Sequence, residues 1–218
     1  MAIRESATEA GRPMAIGRTM QAGLVLVLLC FALVVIGCWG SVPVSRFYVI
    51  EYDVEPLDVN PPLDLVLGVE PFSTRPLYRD RRIAYRTSQH TVVYYPYCYW
   101  AAGPGELVAD QLADHLRKTR LLRAVEIAPY GASPDWILSG HVQQFEEVTR
   151  GGKALARLEL SVRLESVADR QILREELLEI EKPLSARSPE HVAAAMSAAV
   201  REAGERVVGL IRELAPHP

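Results

Sequence analysis

LARLELSVRLESV, residues 155–167, decides the fold class. Ala156, Leu158, Leu160, Val162 and Leu164 fall on one face; Arg157, Glu159, Ser161, Arg163 and Glu165 fall on the other. Side chains of a strand alternate with a period of two, so the stretch predicts a strand with one face on a core and one in water. Ala168-Asp169-Arg170 turns the chain. Ile172–Ile180 then reads as the returning strand, although the charges around Arg174–Glu176 leave a helix as an alternative. A hairpin-connected pair with one wet face points to an antiparallel sheet whose apolar side must be covered.

The cover is legible nearby. Ser188 is an N-cap, Pro189 suits the first helical position, and a helix follows to about Leu214. Val192, Met196, Ala199/Val200, Ala203, Val207 and Ile211 form its apolar stripe, and Ala193–Ala195, Ala198 and Ala199 keep it slim enough to approach a sheet closely. Arg201/Glu205 and Glu202/Arg206 are solvent-side pairs at i,i+4. A second helix starts near Glu106, with Leu107, Val108, Leu112 and Leu116 on one face and Asp110, Asp114, Arg117 and Lys118 elsewhere.

Upstream, Arg46–Tyr52 and Leu63–Phe72 read as strands, and Arg82–Arg86 with Thr91–Tyr97 as a hairpin around Thr87-Ser88-Gln89-His90. Ala124–Ala128 is a short strand, and Trp136–Val148 is extended, with Gly140 the candidate bulge. The order strands, helix, strands, helix predicts an α+β single domain: a mainly antiparallel sheet with two helices packed on one face, after an N-terminal signal and lipobox segment.

That segment is Gly23–Cys38, GLVLVLLCFALVVIGC, preceded by Arg4, Arg12 and Arg18 and uncharged from Thr19 to Ser45. A charged start, an apolar middle and a small residue at the end are the parts of a secretory signal. Val35-Ile36-Gly37-Cys38 resembles a bacterial lipobox, in which Cys38 takes a thioether-linked diacylglycerol and becomes the first mature residue. An uncleaved membrane helix is the rival, since a span needs roughly 20 apolar residues and Leu24–Trp39 is shorter. The expected organisation is therefore a signal over 1–37 with a long basic leader, a tether over 38–45 and a domain over 46–218. From Trp39 to Ser45 the tether reaches only about 25 Å, at ~3.3–3.6 Å per residue, so the domain sits close to its membrane.

The whole chain of 218 residues carries a formal charge of −3, and residues 38–218 carry −4, so no basic face invites nucleic acid. Cys30 lies inside the apolar run and Cys98 is a lone thiol, so no internal disulfide is expected.

Chemistry finds little support. Gly-x-Ser-x-Gly, His-Glu-x-x-His, Gly-rich phosphate loops and dinucleotide fingerprints are all missing from the sequence. No catalytic residue, metal ligand or cofactor site is therefore assigned. Asp110, Asp114 and His115 on one helix could suggest a metal site, but His115 points about 100° away from Asp114 and charged residues are mostly exposed, so they read as a solvated helix face. Cys98 and His90 share a hairpin, but nothing basic adjoins the thiol to lower its pKa. The unusual stretch is Tyr94-Tyr95-Pro96-Tyr97-Cys98-Tyr99-Trp100. Alternation puts Tyr95, Tyr97 and Tyr99 on one face and Tyr94 on the other, with Pro96 the place where it would break. Tyr94, Tyr95, Tyr97, Tyr99 and Trp100 are the candidates for a partner-facing or membrane-facing surface; packing on the core is the alternative.

A family resemblance rests on Arg46-Phe47-Tyr48-Val49-Ile50 after the lipobox, Gly68-Val69-Glu70-Pro71, and Leu77-Tyr78-Arg79-Asp80-Arg81. It continues in Ile83-Ala84-Tyr85-Arg86, the Tyr94–Trp100 run followed by Ala101, the helix over 107–116, Pro134-Asp135-Trp136-Ile137-Leu138-Ser139-Gly140 and the Ala-rich last helix. In order and spacing, residues 38–214 resemble the ABC-type transport auxiliary lipoproteins, which include paraquat-inducible protein C. The resemblance implies a non-catalytic, lipid-anchored docking or receiving subunit on the periplasmic face of the outer membrane. Its implied partner is a mammalian-cell-entry-type lipid-binding subunit of an intermembrane lipid transport system. Trp39, in place of the Asp associated with inner-membrane retention, favours the outer membrane; an uncleaved helix would place the chain in the inner one. A homo-oligomer stays open, as do an envelope assembly or structural lipoprotein and a periplasmic hydrolase with an unrecognised site.

Overall fold

The computed structural model describes residues 43–59, 61–131 and 133–215, and the signal, lipobox and Cys38 lie outside them. The folded unit begins at Val44. It contains β1 (Arg46–Tyr48), β2 (Leu63–Val69), β3 (Ser73–Thr74), a 3₁₀ turn (Pro76–Tyr78), β4 (Arg82–Ser88) and β5 (Thr91–Trp100). These are followed by α1 (Pro104–Thr119), β6 (Leu122–Ile127), β7 (Trp136–Arg150), β8 (Lys153–Ser166), β9 (Ile172–Pro183) and α2 (Pro189–Leu214).

Strand β7 is the spine. One edge pairs antiparallel with β8 from Trp136↔Ser166 to Arg150↔Lys153. The other is divided among three parallel neighbours: β2 against Trp136–Leu138, β3 against His141 and Val142, and β4 against Glu146 and Glu147. From β2 the sheet continues to β6; from β4 it continues through β5 to β1. Hairpins carry the longest ladders, β7–β8 and β8–β9, and the parallel pairings are short.

The reading of β8 holds residue by residue. Ala156, Leu158, Leu160, Val162 and Leu164 are buried, and both helices cover this face, α2 over β8 and β9 and α1 against β6, β7 and α2. All seven residues of the predicted α2 stripe are buried. Ser188 caps α2 by accepting from the His191 N–H. The charge-rich stretch after Arg170 is a strand, because β8 offers it a full edge from Glu165↔Ile172 to Leu155↔Pro183. Two of its charged cover-side residues meet α2: Arg174 pairs with Glu213 at 3.2 Å and Lys182 with Glu202 at 2.5 Å.

Several element ends and one bulge differ from expectation: β2 stops at Val69, short of Phe72, β5 runs on to Trp100, and β6 starts at Leu122. Strand β1 ends at Tyr48, since β5 offers it only Cys98–Trp100. Beyond it the chain turns to the helices, where the Glu51 N–H donates to Ser197 Oγ and the Tyr52 hydroxyl to the Gln111 carbonyl. The bulge in β7 falls at Gln143, between the Val142 and Gln144 pairings, and not at Gly140. Gly140 instead makes room: a Cβ there would sit 2.6 Å from the Phe72 ring.

Adjacent carboxylates occupy opposite faces of β7. Glu146, fully buried on the face away from the helices, accepts from Arg86 Nε at 2.7 Å. Glu147, on the helix side, accepts from the Tyr95 hydroxyl at 2.6 Å and lies 3.5 Å from Arg187 Nε. A charge so buried is tolerable only while paired. Arg86→Leu should therefore destabilise the domain by about 3–5 kcal/mol. Arg123→Ala, which removes the exposed partner of Asp64, should cost less than about 1 kcal/mol. Urea melts of the two variants check the contrast.

Candidate functional site

The tyrosine run lies on β5, next to β1 and at the sheet's edge. Its alternation breaks where proline permits. Tyr97 has φ of 59°, and the ladder with β4 jumps from Ala84↔Tyr94 to Arg82↔Tyr99, so β5 bulges over Tyr95–Cys98. The break resets the faces. Tyr95 reaches Glu147 on the helix side, while Tyr94 and Tyr99 both fall on the opposite side, with Arg82. The Arg82 guanidinium lies 4.4 Å from the Tyr94 ring centre, and the Tyr94 hydroxyl donates to the Leu77 carbonyl.

Trp100 corrects the expectation that it faces a partner: it is 1% exposed and packs edge-on against Phe145 at 4.9 Å. The reset phase turns it into the core. Tyr94 and Tyr95 are half-buried with their hydroxyls committed, and burial followed by the Glu147 hydrogen bond pushes the Tyr95 phenol well above its ordinary range. What remains outward is Tyr97, 49% exposed, and half-buried Tyr99, which stacks on exposed Phe47 at 5.7 Å. Phe47 is the residue missed in the sequence; its strand was legible but its neighbour was not.

Cys98 and His90 are not brought together. Cys98 sits opposite Arg46, whereas His90 is in the hairpin turn at the other end of β5. Among the described residues no group of three or more His, Cys, Asp or Glu could hold a metal ion. Asp110 stays on the outer side of α1, its carboxyl held above the usual range by partial burial and then by Glu106 and Asp114.

His115 is the other correction. It was expected on a solvated helix face and is 4% exposed, on the stripe that runs Val108, Leu112, His115, Thr119. Gly204 of α2 makes the space, since a Cβ there would lie 2.5 Å from Nδ1. Nδ1 has no hydrogen-bond partner, and burial holds the imidazole pKa below its ordinary value. His115 borders an open cleft of about 500 Å³ that Asp53, Glu55, Arg201 and Glu205 also line.

A second cleft of about 510 Å³ lies on the helix-free face between the β4–β5 and β7–β8 hairpins, with Arg86, Arg150 and Arg157 in its wall. Nearer the middle of that face, Ser73 Oγ lies 2.7 Å from His141 Nδ1 in a shallow depression. The nearby Glu175 carboxylate is bonded to Arg163, and no acid is hydrogen-bonded to the His141 ring among the described contacts, so the pair lacks the orienting third group of a hydrolytic triad.

A model of the family described as ABC-type transport auxiliary lipoprotein component matches residues 53–208. Among solved structures, a Xanthomonas campestris protein of the DUF330 family superposes with a TM-score of 0.68 at 22% identity, over 76% of this chain and 94% of that one. An uncharacterised protein superposes with a TM-score of 0.61 at 13% identity, over 78% of this chain and 99% of the other. At those identities the likeness establishes the fold. No curated protein matches the chain.

Two predictions follow from His115. Because its folded pKa is depressed, its contribution to stability is intact above the unfolded value of about 6.5 and is lost as pH falls from there through the folded pKa. His115→Asn should flatten that part of a pH–stability profile measured by urea unfolding. Gly204→Ala should destabilise by roughly 1–3 kcal/mol through overpacking against the ring. Gly209→Ala, with nothing within 4 Å of its added Cβ, should be neutral or stabilising by up to about 1 kcal/mol in thermal melts.

Proposed function

We infer the role of this molecule from one premise: the chain belongs to the family of ABC-type transport auxiliary lipoprotein components. It is accordingly an accessory of an ABC-type transport system. The finer reading is that it acts as a periplasmic docking or receiving subunit. It is anchored through acylated Cys38 in the outer membrane, assists a mammalian-cell-entry-type lipid-binding subunit, and performs no catalysis.

The observation that carries this reading is the coincidence of the family match with the folded unit that starts at Val44, a few residues after the lipobox-like Val35-Ile36-Gly37-Cys38. The charge balance of residues 38–218 and the exposed aromatic edge of β1 and β5 suit a protein that meets other proteins and a bilayer. Stable anchoring needs more than one acyl chain, which a diacylglycerol thioether plus an N-acyl group on Cys38 supplies.

Mass spectrometry of the mature chain tests the anchor: the expected N-terminal residue is triacylated Cys38, and an intact residue 1–37 segment overturns the lipoprotein assignment. Affinity purification of the full chain from detergent-solubilised envelopes tests the role. A mammalian-cell-entry-type subunit should be recovered with the wild type and lost when Cys38→Ala misplaces the domain. Recovery of no such subunit from cells that express one counts against the transport role.

A further inference from the structure

Of the seven large apolar residues left exposed in the described part of the domain, Val44, Phe47, Val49 and Tyr97 lie together on or beside β1 and in the β5 bulge. Phe47 is 61% exposed even with its ring stacked on Tyr99. Such a cluster at one edge calls for an apolar neighbour. Its surroundings narrow the choice. Arg46 and Arg81 are exposed at its border, Arg81 being fixed to the end of β5 by its carbonyl, which accepts from the Trp100 N–H, and by its guanidinium, which donates to the Ala101 carbonyl. The nearby acid, Asp80, is bonded to Arg82; Glu51 is exposed two residues past Val49.

Chain length selects the occupant. The apolar run Gly23–Cys38 ends eight residues before Arg46, where β1 begins, so even fully extended chain spans no more than about 29 Å between them. On the reading that this run carries the anchor, by a lipid on Cys38 or by spanning, β1 is within reach of the polar layer of the bilayer, which is roughly 5–8 Å deep on each side. Aromatic rings with one polar end gather in that layer, and arginines beside them meet lipid phosphates.

We propose that the β1–β5 edge is a membrane footing, with Phe47, Val49 and Tyr97 immersed at the boundary between headgroups and acyl chains and Arg46 and Arg81 at the phosphates. The footing orients the domain. Strand β5 runs from this edge to the β4–β5 turn, roughly 25–30 Å away at ~3.3 Å per residue. The β7–β8 turn lies beside that turn, because Ala84 and Tyr85 pair with Glu146 and Glu147. Both tips, with the arginine-walled cleft between them, therefore point away from the anchoring bilayer. The proposal rests on the reading that residues 23–38 carry the anchor.

Its test uses the full chain in phosphatidylethanolamine–phosphatidylglycerol vesicles, with Cys30→Ala and Cys98→Ser and an environment-sensitive fluorophore on one introduced cysteine. Tyr97→Cys reports the footing, Gln89→Cys the distal tip, and Leu177→Cys an exposed apolar site on β9. The expected result is blue-shifted emission at 97 that a nitroxide on the lipid headgroups quenches, with neither effect at 89 or 177. Phe47→Asp should abolish the quenching at 97 while the vesicles still float the protein. Flotation without quenching at 97 overturns the footing and leaves the anchor standing. So does a blue shift that lipid nitroxides do not quench and that accompanies 97–97 crosslinks, which would make the edge a contact between copies of this chain. Quenching at 97 in a protein whose mature N-terminus is not acylated Cys38 upholds the footing and overturns the lipoprotein anchor. A chain that does not float at all overturns both.

Discussion

One shared edge organises this domain. Strand β7 has fifteen residues, longer than any of the strands on its parallel side, so no single neighbour there can satisfy its backbone. Buried N–H and C=O groups must find partners, and here three short strands supply them in turn. The division creates two branches. Strands β2 and β6 carry the sheet outward at the Trp136 end, while β4, β5 and β1 carry it outward at the Arg150 end. The aromatic edge thus belongs to the second branch, and its position is set by the register in which Ala84 and Tyr85 meet Glu146 and Glu147.

That register is held by charge as well as by ladder hydrogen bonds. Glu146 and Glu147 point to opposite sides of β7, and each finds its partner on the β4–β5 hairpin: Arg86 for the first, Tyr95 for the second. Desolvated acids seldom add net stability over apolar residues, yet an unpaired one is costly. A shift of β4 by one residue would carry Arg86 to the face of Glu147 and strand Glu146. The pair therefore discriminates between registers more than it contributes overall stability, and through β4 it places β5 and the tyrosines.

Periodic segments were readable from the sequence because their environment is uniform. Strand β8 has a neighbour on each edge, helices on one side and water on the other, so its alternation survives intact; the α2 stripe is equally regular. The aromatic edge was only partly readable. Pro96 marked the site of the break, but the number of residues that β5 spends in its bulge depends on pairing with β4, and that number decides the face of Tyr99 and Trp100. Trp100 consequently sits in the core and Phe47 outside. His115 was misread for a different reason. Its spacing from Val108, Leu112 and Thr119 was compatible with burial, but the space it fills is made by Gly204, 89 positions away in the chain. Cys38, by contrast, rests on local sequence alone and lies outside the described residues.

The division of the sheet also separates two kinds of surface. At the β1 end, close in sequence to the apolar run, the exposed groups are Val44, Phe47, Val49 and Tyr97 with Arg46 and Arg81 at their border. At the hairpin end exposed Arg150 and half-buried Arg86 and Arg157 wall a polar cleft, where Arg157 Nε and Gln144 Oε1 are buried without hydrogen-bond partners. Several of these guanidiniums already hold carboxylates: Arg86 holds Glu146, and Arg150 and Arg157 share Glu181. Their charge is thus largely spent within the domain, and the cleft is better described as a dense hydrogen-bonding surface than as a strong anion trap. For an accessory of a transport system this asymmetry is physically consistent. On the proposed footing, a bilayer would satisfy the apolar edge without a specific partner, and the directional, hydrogen-bonding surface at the opposite end would be left for recognition of a partner protein.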